Sequence, residues 1–381
     1  MSTIDIIKQR YQQVQSNNGS SVLTPLEQKA FNTFNQMGIP TVRHEEWKYT
    51  RIGSVLNKEL AFTPANLSTY YTTADLDAVR LPGHEEANEL VFINGIYSPT
   101  LSTIRSASLI VLPLEEAAHS GHQGFVMKHL GHSSQYIKDG IHAMNTAFAQ
   151  EGVFIQAKRG KVIEHPVYFY HITDARSASI LAQPRSLVQV CPGAQIQLVE
   201  NYTTLGMADS FTNQVMEIIV EKDAIVEYYK IQADTANTSQ VSTTHFRQIE
   251  KSYVHAVTIS LDGGIVRNNL NMVMEAEHSE SHMYGLYFLK GNTHVDNHTI
   301  VDNVMPHCES NELYKGIIDD NGTAVFNGKI FVQKDAQKTN AFQSNKNILL
   351  SENASVNTKP QLEIFADDVK CSHGCTIGQL D

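Results

Sequence analysis

Lys329-Ile330-Phe331-Val332-Gln333-Lys334-Asp335-Ala336 can be laid over Asn347-Ile348-Leu349-Leu350-Ser351-Glu352-Asn353-Ala354, an offset of 18 residues. A further step places Leu362-Glu363-Ile364-Phe365-Ala366-Asp367-Asp368-Val369 beneath both. Each unit is an apolar strand, a polar corner carrying Asp or Asn, and a small apolar residue that turns inward. Similar units occur upstream at Pro192-Gly193-Ala194-Gln195-Ile196 and Lys222-Asp223-Ala224-Ile225-Val226. Many short strands suit a sandwich, a barrel or a solenoid. Self-similarity at an irregular period of roughly 15 to 30 residues favours a parallel β-helix with variable turns. In such a stack each coil buries its inner face against its neighbours, and no coil is stable alone.

Upstream of the repeat the chain keeps this character back to Gly152. Phe154–Gln156, Val167–Tyr170, Leu187–Val190, Gln195–Val199, Met216–Val220 and Ile225–Ile231 read as strands punctuated by Gly, Asn, Asp or Pro. Leu90-Val91-Phe92-Ile93 is an earlier strand closed by the hairpin signal Asn94-Gly95. Leu109 to Leu112 is a short apolar run, and Leu114 to His119 and Lys138 to Gln150 read as helical insertions. The first eighty or so residues are helical. Ile4, Ile7, Tyr11 and Val14 recur three or four apart, and Thr24-Pro25-Leu26-Glu27 starts a second helix with Thr24 as N-cap. Ala30, Phe31, Phe34 and Met37 continue its apolar face until Gly38 and Pro40 end it. Trp47, the sole tryptophan, sits in Arg43-His44-Glu45-Glu46-Trp47-Lys48-Tyr49-Thr50 and reads as an anchor packing these helices onto the rest. The expected organisation is an N-terminal helical domain over 1–85 and a mainly β, parallel β-helix core over 86–375.

Composition narrows the function. A chain of 381 residues exceeds one ordinary core, and 41% hydrophobic with 18% charged residues describes a soluble globular protein. A formal charge of −11 leaves no basic excess for phosphates, so nucleic acid is not the expected partner. No apolar run approaches the roughly 18 residues of a membrane span, and no secretory signal opens the chain. Four unevenly spaced cysteines make no disulfide framework, and reduced thiols in a cytoplasm fit best. Phosphate-loop, nucleophile-elbow and dinucleotide fingerprints are all missing, which argues against an ATPase, a hydrolase of that type or a nucleotide-linked dehydrogenase.

Several groups carry metal-binding side chains. His294 and His298, like His278 and His282, are four apart, but in a β setting such pairs lie too far apart to chelate one ion. They read as satisfied polar residues in solenoid corners. Cys191 reads as core and Cys308 as a half-buried structural thiol. Cys371-Ser372-His373-Gly374-Cys375 differs, because on an extended chain Cys371, His373 and Cys375 share one face. Soft sulfur and borderline imidazole suit zinc, copper or iron, and three ligands make an open site or half of one completed by another chain. A small-residue turn capping the last coil is the other reading.

The closing run Lys359–Asp381 resembles the SufB/SufD family of the SUF iron–sulfur cluster assembly system. So do Glu45-Glu46-Trp47-Lys48-Tyr49-Thr50, Glu312-Leu313-Tyr314-Lys315-Gly316-Ile317 and Val325-Phe326-Asn327-Gly328-Lys329-Ile330. Ala336-Gln337-Lys338-Thr339 and Gln343-Ser344-Asn345-Lys346-Asn347 complete the set. The SufB branch typically carries His-Glu-Ala where this chain has His373-Gly374-Cys375, so with the early Glu-Glu-Trp the likeness is to the SufD branch.

The resemblance implies a right-handed parallel β-helix carrying the helical domain, and a non-catalytic component, not an enzyme. It implies pairing with SufB across the β-helices, binding of the pair by the ABC-type ATPase SufC, and a nascent iron–sulfur cluster at the SufB interface. Family functional positions match Cys371 and His373, whereas Cys375 varies within the family. A reduced flavin on the complex is left open, as is a homodimer of the isolated chain. Family members continue past this point with a helical segment that contacts SufC, so residues 376–381 read as the start of that segment and the chain as stopping short. Two other readings remain: a purely structural β-helix module with no metal contact, and a polysaccharide-acting β-helix enzyme. The second is weakened by Asp367 and Asp368, which point to opposite faces of an extended chain.

Overall fold

The computed structural model describes residues 2–17, 21–62 and 71–380. Helices Thr3–Asn17 and Thr24–Met37 come first, and Ile7, Tyr11 and Val14 of one pack with Ala30 and Phe34 of the other. Their three-to-four spacing puts these residues on one stripe. Thr24 is the first helical residue and not the cap: Leu23 holds that position and makes no side-chain bond. Gly38, at φ +63°, ends the helix with its N–H on the Phe34 carbonyl at 2.8 Å. Helices Leu114–Ala118 and Gly140–Thr146 form within the expected insertions. Gln123–His129 is a further helix that sequence spacing did not mark, since only Val126 and His129 of it are buried.

Two ten-stranded sheets hold the rest. From Val153 onward successive strands mostly alternate between them, so each coil contributes one strand to each sheet and stacks in parallel register on the coil before. Thr323 pairs with Ser355 on one sheet and Asn340 with Lys370 on the other, which makes the last coils 32 and 30 residues long. The units legible in the sequence are therefore half-coils. Lys329–Val332 ends a strand of the first sheet, Asn347–Leu349 ends one of the second, and Leu362–Ile364 returns to the first.

The layers explain the burial. Inward residues of both sheets, among them Val188, Leu198, Met216, Val226, Phe246 and Ile330, form one elongated core. The outer face of the first sheet lies under the helices, where Phe211 and Val241 meet Phe34, Ile141 and Phe148. Strand Ser210–Val220 is accordingly buried at every position, whereas Ile225–Ala233 of the second sheet alternates. On that second sheet Leu286, Phe288, Phe342 and Ile348 face outward and are exposed.

Glu45-Glu46-Trp47 fastens the helical layer across several coils. The Arg267 guanidinium lies 3.9 Å from the Trp47 ring centre, and the indole Nε1 donates to Asp139 Oδ2 at 3.2 Å. Glu46 pairs with Lys329 at 2.5 Å and Glu45 with Lys359 at 2.6 Å. Trp47 is an anchor, as its sequence context suggests.

The two ends differ. At the N-terminal end both sheets finish on antiparallel strands, Ile96–Tyr97 against Asn88–Ile93 and Leu109–Pro113 against Val153–Ala157. At the other end Ser355–Ile364 and Lys370–Gln379 each have a neighbour on one side only among the described residues. Neither strand contains a single buried residue. Thr376 to Gln379 continue the strand and do not open a helix: they pair with Lys346 to Leu349, and the ladder fixes their extended backbone.

Close packing inside the stack is set by two glycines. A Cβ on Gly285 would overlap the Tyr314 ring and one on Gly316 the Tyr287 ring, and both rings are 1% exposed with nowhere to move. Gly285→Ala should lower stability by about 1–3 kcal/mol, read as a lower urea midpoint at unchanged slope. Gly121→Ala, with nothing within 4 Å of the added carbon, should leave the midpoint in place.

Candidate functional site

The open end carries the Cys-Ser-His-Gly-Cys motif. Strand Lys370–Gln379 stacks on Asn340–Leu349 with Cys371 over Ala341, His373 over Gln343 and Cys375 over Asn345. Ala341, Gln343 and Asn345 are the buried, inward members of their strand. Strict alternation therefore turns Cys371, His373 and Cys375 toward the solenoid interior at its last, uncovered rung. Facing them from the first sheet are Val356, Thr358, Pro360 and Leu362, which stack on the inward residues Ala324, Phe326, Gly328 and Ile330.

Exposure separates the three. Cys371 is half-buried against the elongated core, and burial pushes its thiol above the ordinary range. His373 and Cys375 are exposed. Two residues of strand span about 6.6 Å, so the two cysteine backbones stand roughly 13 Å apart. Both sulfurs on one ion would lie within about 4 Å of each other at a Zn–S distance of roughly 2.3 Å. One ion can thus take His373 with a neighbouring cysteine, and further ligands must come from elsewhere. Among the described residues no group of three or more His, Cys, Asp or Glu side chains is placed to hold a metal by itself.

Comparison with known proteins agrees with the family resemblance. Residues 171–381 match the SUF system FeS cluster assembly SufBD core domain, and residues 2–169 match the SufBD protein N-terminal region. The chain belongs to the SufBD family. It is 31% identical over 372 residues to the iron–sulfur cluster assembly SufBD family protein slr0076 of Synechocystis sp., covering 95% of this chain and 81% of that protein. It is 29% identical over 368 residues to the iron–sulfur cluster assembly protein SufD of Escherichia coli, covering 94% and 81%. Protein ABCI7, chloroplastic, of Arabidopsis thaliana is 30% identical over 246 residues, covering 63% and 52%. The chain is SufD-like, and its family role is in iron–sulfur cluster assembly. No helix among the described residues is long and apolar enough to cross a membrane.

The remaining candidate residues of this SufD-like chain are structural. His298 lies mid-strand and His294 opens the same strand just after the turn at Gly291, both on the outer face of the first sheet beneath the helices. His294 Nε2 lies 2.9 Å from Thr50 Oγ1, and His298 Nε2 lies 2.8 Å from Asp296 Oδ1. The sequence does not show which sheet face the helices cover, and so misplaced His298. His278 does occupy a corner, at φ +61°, and stacks on His307 at 4.9 Å, while His282 pairs with Glu280 at 2.6 Å. Cys308 is fully buried, not half-buried, with its Sγ 3.3 Å from the Ala276 carbonyl. Burial pushes the Cys308 and Cys191 thiols up to about 11, so neither is a ready thiolate.

Two inward residues below the motif escaped sequence reasoning. Glu312, 1% exposed, accepts from Gln343 Nε2 at 2.7 Å, and Gln343 lies directly beneath His373. Their signal was alternation: Ser310, Glu312 and Tyr314 share the inward face, an odd place for a carboxyl. Burial pushes the Glu312 carboxyl up to about 7. Between its ordinary 4.5 and that value the folded chain keeps a proton that the unfolded chain has lost. Stability from this group thus falls as pH rises through that window, by about 3 kcal/mol in all. Glu312→Gln removes the loss. Its urea midpoint should exceed the wild-type value above pH 7, with the gap closing toward pH 4.5.

Proposed function

We propose that this chain is a non-catalytic component of the SUF machinery that pairs with SufB through the open end of its solenoid, so that a nascent iron–sulfur cluster forms where the two meet. The observation that carries the reading is the last coil. Among the described residues its two strands have unpaired edges and contain no buried residue, and a thiol and an imidazole stand on its inward face. An unpaired edge is a template for another chain's strand. Ile364, Phe365, Ile377 and Leu380 are exposed at this end, which supplies apolar surface for such a partner.

Thiolate and imidazole suit iron, and an incomplete ligand shell leaves the product a way out. The Cys371 thiol, held protonated by partial burial, releases its proton as a cation draws it off. SufB supplies the remaining ligands, and SufC supplies ATP-driven rearrangement that this chain, lacking a phosphate loop, does not perform. The setting is a reducing cytoplasm, a reduced flavin on the complex is the electron source to test, and in isolation a second copy takes SufB's place at the open strands.

Co-expression with SufB and SufC, anaerobic purification and measurement of bound iron and sulfide test this. His373→Ala should leave the complex intact and cut iron and sulfide at least about tenfold, which corresponds to roughly 1.4 kcal/mol or more of lost affinity. Undiminished loading overturns the role given to His373. The wide spacing of the motif's side chains favours one alternative, a structural module that shapes SufB and touches no iron. Full loading of a Cys371→Ala, His373→Ala double variant would establish it.

A further inference from the structure

We propose that Gln343 is the positioning residue for His373: its side-chain carbonyl oxygen receives one ring N–H of His373, so that the other ring nitrogen is the one presented at the open end. The purpose of this contact rests on the reading of His373 as an iron ligand, but its geometry does not.

Gln343 and His373 are register partners on adjacent rungs, both inward-facing, with backbones roughly 4.8 Å apart. Gln343 is 3% exposed and reaches across the interior to Gly328, where an added Cβ would overlap its amide. Its Nε2 donates to Glu312 Oε2 on the rung below at 2.7 Å. That bond fixes which way round the amide sits. The Oε1 is left buried with no donor, although an amide oxygen in this position has two lone pairs to satisfy. Its neighbours in the same motif are spent. Asn345 Nδ2 donates to the Tyr287 hydroxyl at 2.9 Å, and Asn347 Nδ2 donates to Asn345 Oδ1 at 2.7 Å.

The chemistry explains the choice of an amide. A ligating imidazole needs an unprotonated nitrogen toward the metal and an acceptor for the N–H on its other nitrogen. An amide oxygen accepts but gives no proton, so it specifies one neutral tautomer. A carboxylate in the same place would instead favour the doubly protonated ring, which cannot ligate. Glu312 is set one rung too deep to do that and serves to hold the amide.

The test is the ring tautomer of His373 in the full chain, read from its two ring-nitrogen shifts at pH 8 in histidine-labelled protein, with the signal assigned by its loss in His373→Ala. The expected result is one tautomer in the wild type and a mixture in Gln343→Leu. Glu312→Leu, which frees the amide to turn over without touching residue 343, should also give a mixture and guards against a Gln343 variant that fails to fold. Thr358→Val removes another buried, unpartnered hydroxyl of the last coil and should leave the tautomer single. An unchanged single tautomer in both Gln343→Leu and Glu312→Leu, or a mixture already in the wild type, overturns the proposal. If the tautomer responds as expected while His373→Ala still loads iron and sulfide normally, the ligand reading falls and the positioning stands. The reverse pattern separates them the other way.

Discussion

A parallel stack of coils satisfies the backbone of every strand except at its two ends, and that constraint organises this molecule. Inside the stack each N–H and C=O finds a partner on the rung above or below, and each inward side chain packs against the next rung. At the N-terminal end each sheet finishes on a short antiparallel strand. At the other end the last rung of each sheet has a neighbour on one side only among the described residues, and Cys371, His373 and Cys375 stand on one of these rungs. The motif thus stands at one end of the repeat.

The helical layer serves the same end. The outer face of the first sheet is unusually polar, with Arg267, Asp296, His298 and Lys329 in one region, and would be costly to cover without matched groups. Glu46 and Trp47 supply them through the Lys329 pair and the stack on Arg267. Glu45 extends the clamp to Lys359 on the terminal strand of that sheet. The open rung is therefore tied to the body of the protein from the side.

Much of this was legible in the sequence. The corner-and-strand repeat gave the solenoid, the three-to-four spacing gave the first helices, and the run ending at Asp381 pointed to the family. What was hidden is physical. Half-coils of similar pattern alternate between sheets, so periodicity alone does not tell a half-turn from a full one. Helix Gln123–His129 buries too few residues to show a stripe. His298 looked like a corner residue because nothing in a strand's pattern says that helices cover its outer face. Cys371, His373 and Cys375 could be put on one face by counting. Glu312 and Gln343 beneath them emerge only once the register stacks residues 31 and 30 apart in the chain.

The central claim, that the last rung is completed by another chain, is tested most directly by backbone hydrogen exchange. The alternate amides of Ser355–Ile364 and Lys370–Gln379 that point away from the preceding rung should exchange rapidly in the isolated chain, at low concentration, and become strongly protected when SufB is added. Protection is expected to spread inward to Asn340–Leu349 but not to the solvent-facing side of earlier coils. If SufB binds and these two strands keep their rapid exchange while protection appears elsewhere, the open end is not the interface and the account fails.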